Sequence, residues 1–168
     1  WSSDVCSSDL IRDRAMLSIY YGCGLRRNEG ISLDVGDILL KERLVYIQKG
    51  KGYRERYVPM SGAIVEDLQN YIYVAREQIK SYKPERNETA LFLSVRVKRM
   101  HENSMVKRIN KLAESAGLPP GSDLHTLRHS IATHLLQSGM SLESVSRFLG
   151  HRSLESTQIY THLSAETE

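Results

Sequence analysis

The chain has 168 residues, of which 40% are apolar and 26% charged, with a formal net charge of +3 at pH 7. This is the profile of one globular domain large enough for its own core, and no run of about 18 apolar residues is present to cross a membrane as a helix. The mild positive charge favours a polyanionic partner. Two cysteines, Cys6 and Cys23, form neither a disulfide framework nor a zinc pattern, so a reducing cytoplasm is the expected setting.

Residues 1–10, WSSDVCSSDL, read unlike the rest of the chain: Ser-Ser-Asp occurs twice, at 2–4 and 7–9, behind the only tryptophan. One such cluster is a helix N-cap; two in ten residues are not explained that way. The segment has neither the basic start nor the apolar centre of a signal peptide. The nucleotide string TGG AGT TCA GAC GTG TGC TCT TCC GAT CT encodes it and resembles a short-read sequencing adapter. Residues 1–10 are therefore read as a non-native, adapter-derived segment, expected to be disordered or loosely attached. Without Asp4 and Asp9 the net charge rises from +3 to +5, and Cys23 is the remaining cysteine.

From Ile11 to Tyr21, the residues Ala15, Met16, Ile19 and Tyr20 recur at helical spacing, and Gly22 and Gly24 mark the helix end. RRNEGISL reads as a short second helix. Three strand-like runs follow, DILL, RLVYIQK and RERYVPM, separated by KER and GKGY turns. They predict a small antiparallel sheet whose last hairpin carries Lys51 between two glycines at its tip. Ser61 stands where it can N-cap a long helix to about Tyr82, with Ile64, Val65, Leu68, Ile72, Ala75 and Ile79 as the buried stripe. KPERNET reads as a solvated loop and LFLS as a short strand. A helix near Asn103 to Ala116 is expected to bury Met105, Ile109, Leu112 and Ala116, and Gly117 to stop it. After the loop LPPGSD come three helical pieces, LHTLRHSIATHLLQSG, SLESVSRFLG and SLESTQIYTHL. No repeat or linker divides residues 11–168. The expectation is one mostly α domain with a small three-stranded antiparallel β-sheet.

The residues able to carry chemistry are a set of cations and one tyrosine. Arg26 follows the Gly24 turn, and Lys51 sits on the hairpin tip. His125 and Arg128, three apart, share a helix face. His151 follows Leu149-Gly150, and Tyr160 lies on the last helical piece. Each also has a plain reading: Arg26 as a surface partner of Glu29, Lys51 as an edge-guarding lysine, His125 as a helix cap, Tyr160 as a core ring. Two rival constellations are weaker. His125 and His129 have the i,i+4 spacing of zinc ligands, but no cysteine accompanies them and Arg128 makes the spot poor for a cation. LQSGMSLESVSRFLGHRSLESTQIY could be a helix-turn-helix, which leaves Arg26 and Lys51 without a role.

Four motifs, GLRRNEGISLDVGDI, GKGYRERYVP, HTLRHSIATHLLQSG and LGHRSLESTQIYTH, resemble in order and spacing those of the tyrosine recombinases, the phage-integrase family, most like its Xer-type and mobile-element members. The resemblance covers Ile11 to His162. It implies the catalytic-domain fold of these DNA breaking-rejoining enzymes. Arg26 matches the first catalytic arginine and Glu29 the acidic residue after it. Lys51 matches the β-hairpin lysine, His125 and Arg128 the H-x-x-R pair, His151 the His/Trp position, and Tyr160 the nucleophile.

The chemistry of that set is coherent. Strand exchange needs a cut that conserves the energy of the broken phosphodiester, and a covalent link to a protein nucleophile does so. A tyrosine hydroxyl with an ordinary pKa of about 10 is phenolate in only about one molecule in a thousand at pH 7, so neighbouring cations or a base must assist it. Planar guanidinium groups suit the non-bridging oxygens of a pentacoordinate phosphorus. The resemblance gives Lys51 the general-acid role toward the leaving 5′ oxygen, His125 the tyrosine proton or a phosphate hydrogen bond, and His151 another phosphate hydrogen bond. Glu29 would orient its arginine neighbourhood; an ordinary i,i+3 pair with Arg26 is the plain alternative. No metal, nucleotide or other cofactor is expected. The partners would be double-stranded DNA and, in a full-length protein, a homo- or hetero-tetramer on paired sites, in the cytoplasm at the nucleoid.

Departures are few: Leu124 stands where many relatives have proline, and Tyr53 where small polar residues are frequent. Family members usually carry an N-terminal helical domain that closes around DNA and a C-terminal helix that docks on a neighbouring protomer. The expectation is that residues 11–168 hold the catalytic domain, with the core-binding domain absent and the C-terminal helix truncated. A type IB topoisomerase-like relaxase and a non-catalytic DNA-binding protein are the alternative functions.

Overall fold

A computed structural model describes residues 3–48, 55–119 and 121–151. Among these, seven α-helices accompany one three-stranded antiparallel sheet. No described helix is long and apolar enough to cross a membrane.

Helix α1 (Ser3–Leu17) runs into a π-helical turn, Ser18–Gly22, and the chain reverses at Gly24 with φ +59, a left-handed conformation that glycine adopts without strain. The predicted stripe is correct: Ala15, Met16, Ile19 and Tyr20 are fully buried. The helix starts at Ser3, however, rather than at Ile11. Ser8 is buried and hydrogen-bonds Gln78, so at Ser8 the segment is held to the fold rather than loosely attached, while residues 1 and 2 lie outside the described residues. Extending an existing helix fixes one residue per hydrogen bond gained, which lets polar residues continue it.

The long helix after Ser61 is one rod in three parts: α3 (Gly62–Asn70), a π-helical turn Tyr71–Ala75, and α4 (Arg76–Lys80). Ser61 caps it as expected, accepting from Ile64 N–H at 3.4 Å. Helix α1 lies along this rod, tied by Ser8–Gln78 at one end and by Arg14–Asp67 (2.6 Å) and Ser18–Asp67 (2.5 Å) at the other. Between them Met16, Ile19, Leu68 and Tyr71 form the centre of the core. Each buried Leu, Ile or Met there stabilises by roughly 1.5–3 kcal/mol.

LFLS is not a ladder strand; the region makes only the isolated bridges Asp34–Ala90 and Leu93–Arg99 among the described residues. Backbone groups on two sides pair part of it, with Leu91 N–H donating to Leu33 O and Phe92 O accepting from Met100 N–H at 2.9 Å each, and side chains supply the remaining partners. The Tyr71 hydroxyl donates to Leu91 O (2.9 Å) and accepts from Leu93 N–H (3.0 Å). The Arg76 guanidinium donates to the carbonyls of Glu88, Ala90 and Leu91 at 2.6 to 3.3 Å.

Strands β1 (Ile38–Leu39), β2 (Leu44–Ile47) and β3 (Arg56–Pro59) form the predicted meander, with Val45 opposite Val58 and Ile47 opposite Arg56. Val45, Ile47 and Val58 face the core; Tyr46 and Tyr57 face outward with ring centroids 5.1 Å apart. Helix α5 (Glu102–Ser115) buries Met105 and Ile109 as expected, but its third buried position is Ala113, while Leu112 is half-buried and Ala116 exposed. The bidentate Arg108–Asp13 pair (2.6–2.9 Å) fixes the rotation of α5 against α1. Helices α6 (Leu124–Gln137) and α7 (Leu142–Leu149) complete the described chain.

Candidate active site

Four chain segments meet at one cleft. The first is the start of α2 (Arg27–Ser32). Arg26 is its extended N-cap, and Glu29 reaches back to accept the Arg26 amide at 2.8 Å. The second is α6, begun by a reciprocal cap in which Asp123 accepts from Thr126 N–H at 3.0 Å and Thr126 Oγ1 accepts from Asp123 N–H at 3.3 Å. Leu124, in place of proline, occupies the first helical position and is buried without disturbing the cap. This start places His125 and Arg128 on the cleft side. The third is the end of α7, where Gly150 at φ +66 accepts the left-handed turn. Its amide bonds Arg147 O at 3.1 Å and the His151 amide bonds Ser146 O at 3.0 Å, the two bonds of a Schellman motif. The fourth is strand β3, whose Arg56 backs the cleft through Glu29 without lining it, while α5 adds Val106 to the wall.

Three guanidinium groups gather on the end of α7. Arg56 Nε donates to Phe148 O (3.2 Å), and Arg26 to Leu149 O (3.3 Å) and Gly150 O (3.1 Å). Arg128 donates to Leu149 O (2.6 Å) and to Gly24 O. The carbonyls of Phe148, Leu149 and Gly150 are the negative end of the α7 dipole and hold the cations in fixed directions. Glu29 lies beneath them. Its carboxylate accepts Arg56 at 2.7 and 3.1 Å and Arg26 Nη1 at 3.2 Å. Three guanidinium charges against one carboxylate leave an excess of two positive charges.

The cleft above has a volume of about 370 Å³ and is lined by Leu25, Arg26, Arg27, Val106, Asp123, Leu124, His125, Arg128 and His151. That is room for a phosphodiester group and its neighbours. Burial, then the charges of Arg128, Arg26 and Arg56, push His151 down to about 4, so at pH 7 it is a neutral hydrogen-bonding ring. Burial alone would raise Glu29, but the hydrogen bonds and charge of Arg56, then the Arg26 amide and charge, outweigh it and hold the carboxyl below its ordinary range. His129 meets His125 with Nε2 atoms 2.5 Å apart, and is lowered by burial, His125 and Arg128. Among the described residues no group of three or more His, Cys, Asp or Glu gathers as a metal site.

Of the residues singled out in the sequence, Arg26, His125, Arg128 and His151 line this one cleft and Glu29 supports it. Glu29 is not an ordinary surface partner of Arg26, since its side chain is 4% exposed and bound by two arginines. Lys51 and Tyr160 lie outside the described residues, as does the second half of the helix-turn-helix reading. Arg56 was missed. Its signal was strand alternation, because it is two residues before buried Val58 and so faces inward, an unusual place for a charge.

A mostly helical domain with a small meander and a cation-rich cleft is the architecture of tyrosine recombinase catalytic domains. The chain belongs to the phage integrase family, whose sequence pattern matches residues 3–167. It is 40% identical over 157 residues to the tyrosine recombinase XerC of Pelotomaculum thermopropionicum, covering 93% of this chain and 51% of that protein. It is 44% identical over 154 residues to the XerC of Proteus mirabilis, covering 91% and 48%. The chain thus spans about half the length of the curated relatives it matches. Among solved structures, the XerA recombinase superposes with a TM-score of 0.79 at 29% identity, covering 95% of this chain and 57% of that one. XerH bound to a palindromic difH substrate after cleavage superposes with a TM-score of 0.76 at 28% identity, covering 97% and 48%.

Proposed function

We propose that this chain is the catalytic part of a site-specific DNA recombinase that cuts and rejoins double-stranded DNA through a 3′-phosphotyrosyl intermediate. The observation that carries the reading is convergence: Arg26, His125, Arg128 and His151 are scattered over 126 positions of sequence yet line one cleft with room for a phosphodiester and excess positive charge. Xer recombinases similar over nine-tenths of this chain, one of them solved on its DNA substrate, support the same reading.

In the proposed reaction Tyr160 Oη attacks the scissile phosphorus. The O–P bond forms as the bond to the 5′ oxygen breaks. The tyrosine proton passes to His125, and Lys51 protonates the leaving 5′ oxygen. Arg26 and Arg128 hold the non-bridging oxygens as charge builds on them, and neutral His151 adds a hydrogen bond. The 5′-hydroxyl of a partner strand then attacks the phosphotyrosyl bond, which restores a phosphodiester and returns the proton to Tyr160. The scheme uses no metal or nucleotide, because the phosphotyrosyl link retains the energy of the broken bond. It operates within a homo- or hetero-tetramer on paired sites at the nucleoid.

The test is a nicked suicide duplex carrying a sequence selected from a randomised pool by this chain. Wild type should accumulate a covalent adduct, and Tyr160→Phe should bind the duplex without forming one. An undiminished adduct in Tyr160→Phe refutes the assignment. We also propose that residues 1–10 are adapter-derived, which sequencing the source DNA across codon 11 decides: an uninterrupted genomic reading of those ten codons refutes it.

A further inference from the structure

We propose that Arg56 is a positioning residue for the cleft, taking up the charge of buried Glu29 so that Arg26 stays directed at the phosphate. The inference rests on the reading of the cleft given above. Arg56 does not line the cleft; its side chain is 10% exposed and turned inward at the start of β3. Its fork meets both Glu29 oxygens, with Nη1 on Oε1 at 2.7 Å and Nη2 on Oε2 at 3.1 Å, while Nε holds Phe148 O. Arg26 contacts the same carboxylate with one terminal nitrogen, at 3.2 Å. Oxygen Oε1 is therefore shared, and Arg56 holds the closer position on it.

A carboxylate 4% exposed requires a cation. With Arg56 gone, Arg26 is the guanidinium left in contact with Glu29. It would turn into a two-nitrogen grip on the carboxylate and away from the cleft. The excess charge facing a phosphate would fall by one, and one of the two arginines of the clamp would be misdirected. Gly150 makes room for this arrangement: a Cβ there would stand 2.7 Å from the Arg56 guanidinium carbon. The same glycine that ends α7 thus admits the side chain that neutralises Glu29.

The test measures adduct formation by the full chain at saturating DNA on the selected nicked duplex, with either a phosphodiester or a methylphosphonate at the scissile position. A methylphosphonate lacks one non-bridging oxygen and its charge, so its cleavage depends less on a directed guanidinium. Arg56→Met should slow phosphodiester cleavage by about 100-fold, the scale of one lost transition-state donor, and slow methylphosphonate cleavage by less than about tenfold. Arg56→Gln should be similarly impaired, and adding Glu29→Gln, which removes the charge that captures Arg26, should restore most of its rate. Melting temperatures of all variants accompany the rates. Equal loss on both DNAs, no recovery in the double variant, or phosphodiester cleavage by Arg56→Met within about twofold of wild type would each overturn the inference and leave the recombinase reading intact. Failure of wild type to form any adduct would remove both.

Discussion

Arg76 and Arg128 are 4% and 5% exposed, and both give guanidinium N–H groups to backbone carbonyls. They serve different regions. Arg76 binds the carbonyls of Glu88, Ala90 and Leu91, and with the Tyr71 hydroxyl it helps organise a buried segment that pairs with its neighbours only through isolated bridges. Arg128 binds Gly24 O and Leu149 O and also lines the cleft beside Arg26, His125 and His151. Burial and carbonyl bonds are thus common to a structural arginine and a candidate catalytic one. What separates them is the opening on one side and the crowd of like charges. Around Arg76, loop carbonyls and the Glu77 carboxylate at 3.8 Å absorb the charge; around Arg128, two further guanidinium groups share the one carboxylate of Glu29 and an excess remains.

The largest expected effect breaks the charge balance of the cleft. Glu29→Leu leaves Arg56 buried against apolar atoms and should destabilise the fold by about 3–5 kcal/mol in urea unfolding. Next, Arg128→Gln should slow adduct formation by a barrier of roughly 3–4 kcal/mol, measured on the nicked duplex. Arg76→Met should instead unfold earlier by about 3 kcal/mol, because several buried carbonyls lose their donor, while the folded fraction keeps its cleavage rate. A cleavage defect in Arg76→Met beyond the loss of folded protein would erase the distinction between the two regions.

A smaller effect is expected of Gly150→Ala, which places a side chain in the left-handed region and against Arg56; a loss of at least about 1–2 kcal/mol should accompany it. The pH dependence of stability tests the crowding of charge. His151 goes from an ordinary 6.5 in the unfolded chain to about 4 in the fold, so the unfolded chain binds its proton first. The stability it protects is present above pH 6.5 and is lost as pH falls toward 4, and His151→Gln should flatten that part of the profile. The smallest effect belongs to the exposed Arg147–Glu143 pair, whose removal should change stability by no more than about 0.5 kcal/mol.

Periodicity made the helices and the meander legible, because a helix stripe and a strand alternation both report which face is buried. LFLS failed for a physical reason. An apolar run announces burial but not what satisfies its backbone, and here isolated backbone bonds to Leu33, Lys98 and Met100 share that task with Tyr71 and Arg76, twenty and fourteen positions away. Helix α1 began early because helix extension tolerates serines and aspartates once a nucleus exists. In the site, Arg26, Glu29, His125, Arg128 and His151 were legible through motif and chemistry. Their geometry was not, since it depends on the carbonyls that end α7. Arg56 needed the sheet register to reveal that a charge two residues before Val58 points inward onto Glu29.

The most direct measurement of the central claim is the mapping of the covalent adduct. After reaction with the nicked duplex, the protein is digested and the peptide–oligonucleotide is sequenced by mass spectrometry. The account predicts a single attachment, through the 3′ phosphate of the cut strand to the hydroxyl of Tyr160. Attachment to any other residue, or through a 5′ phosphate, would contradict it.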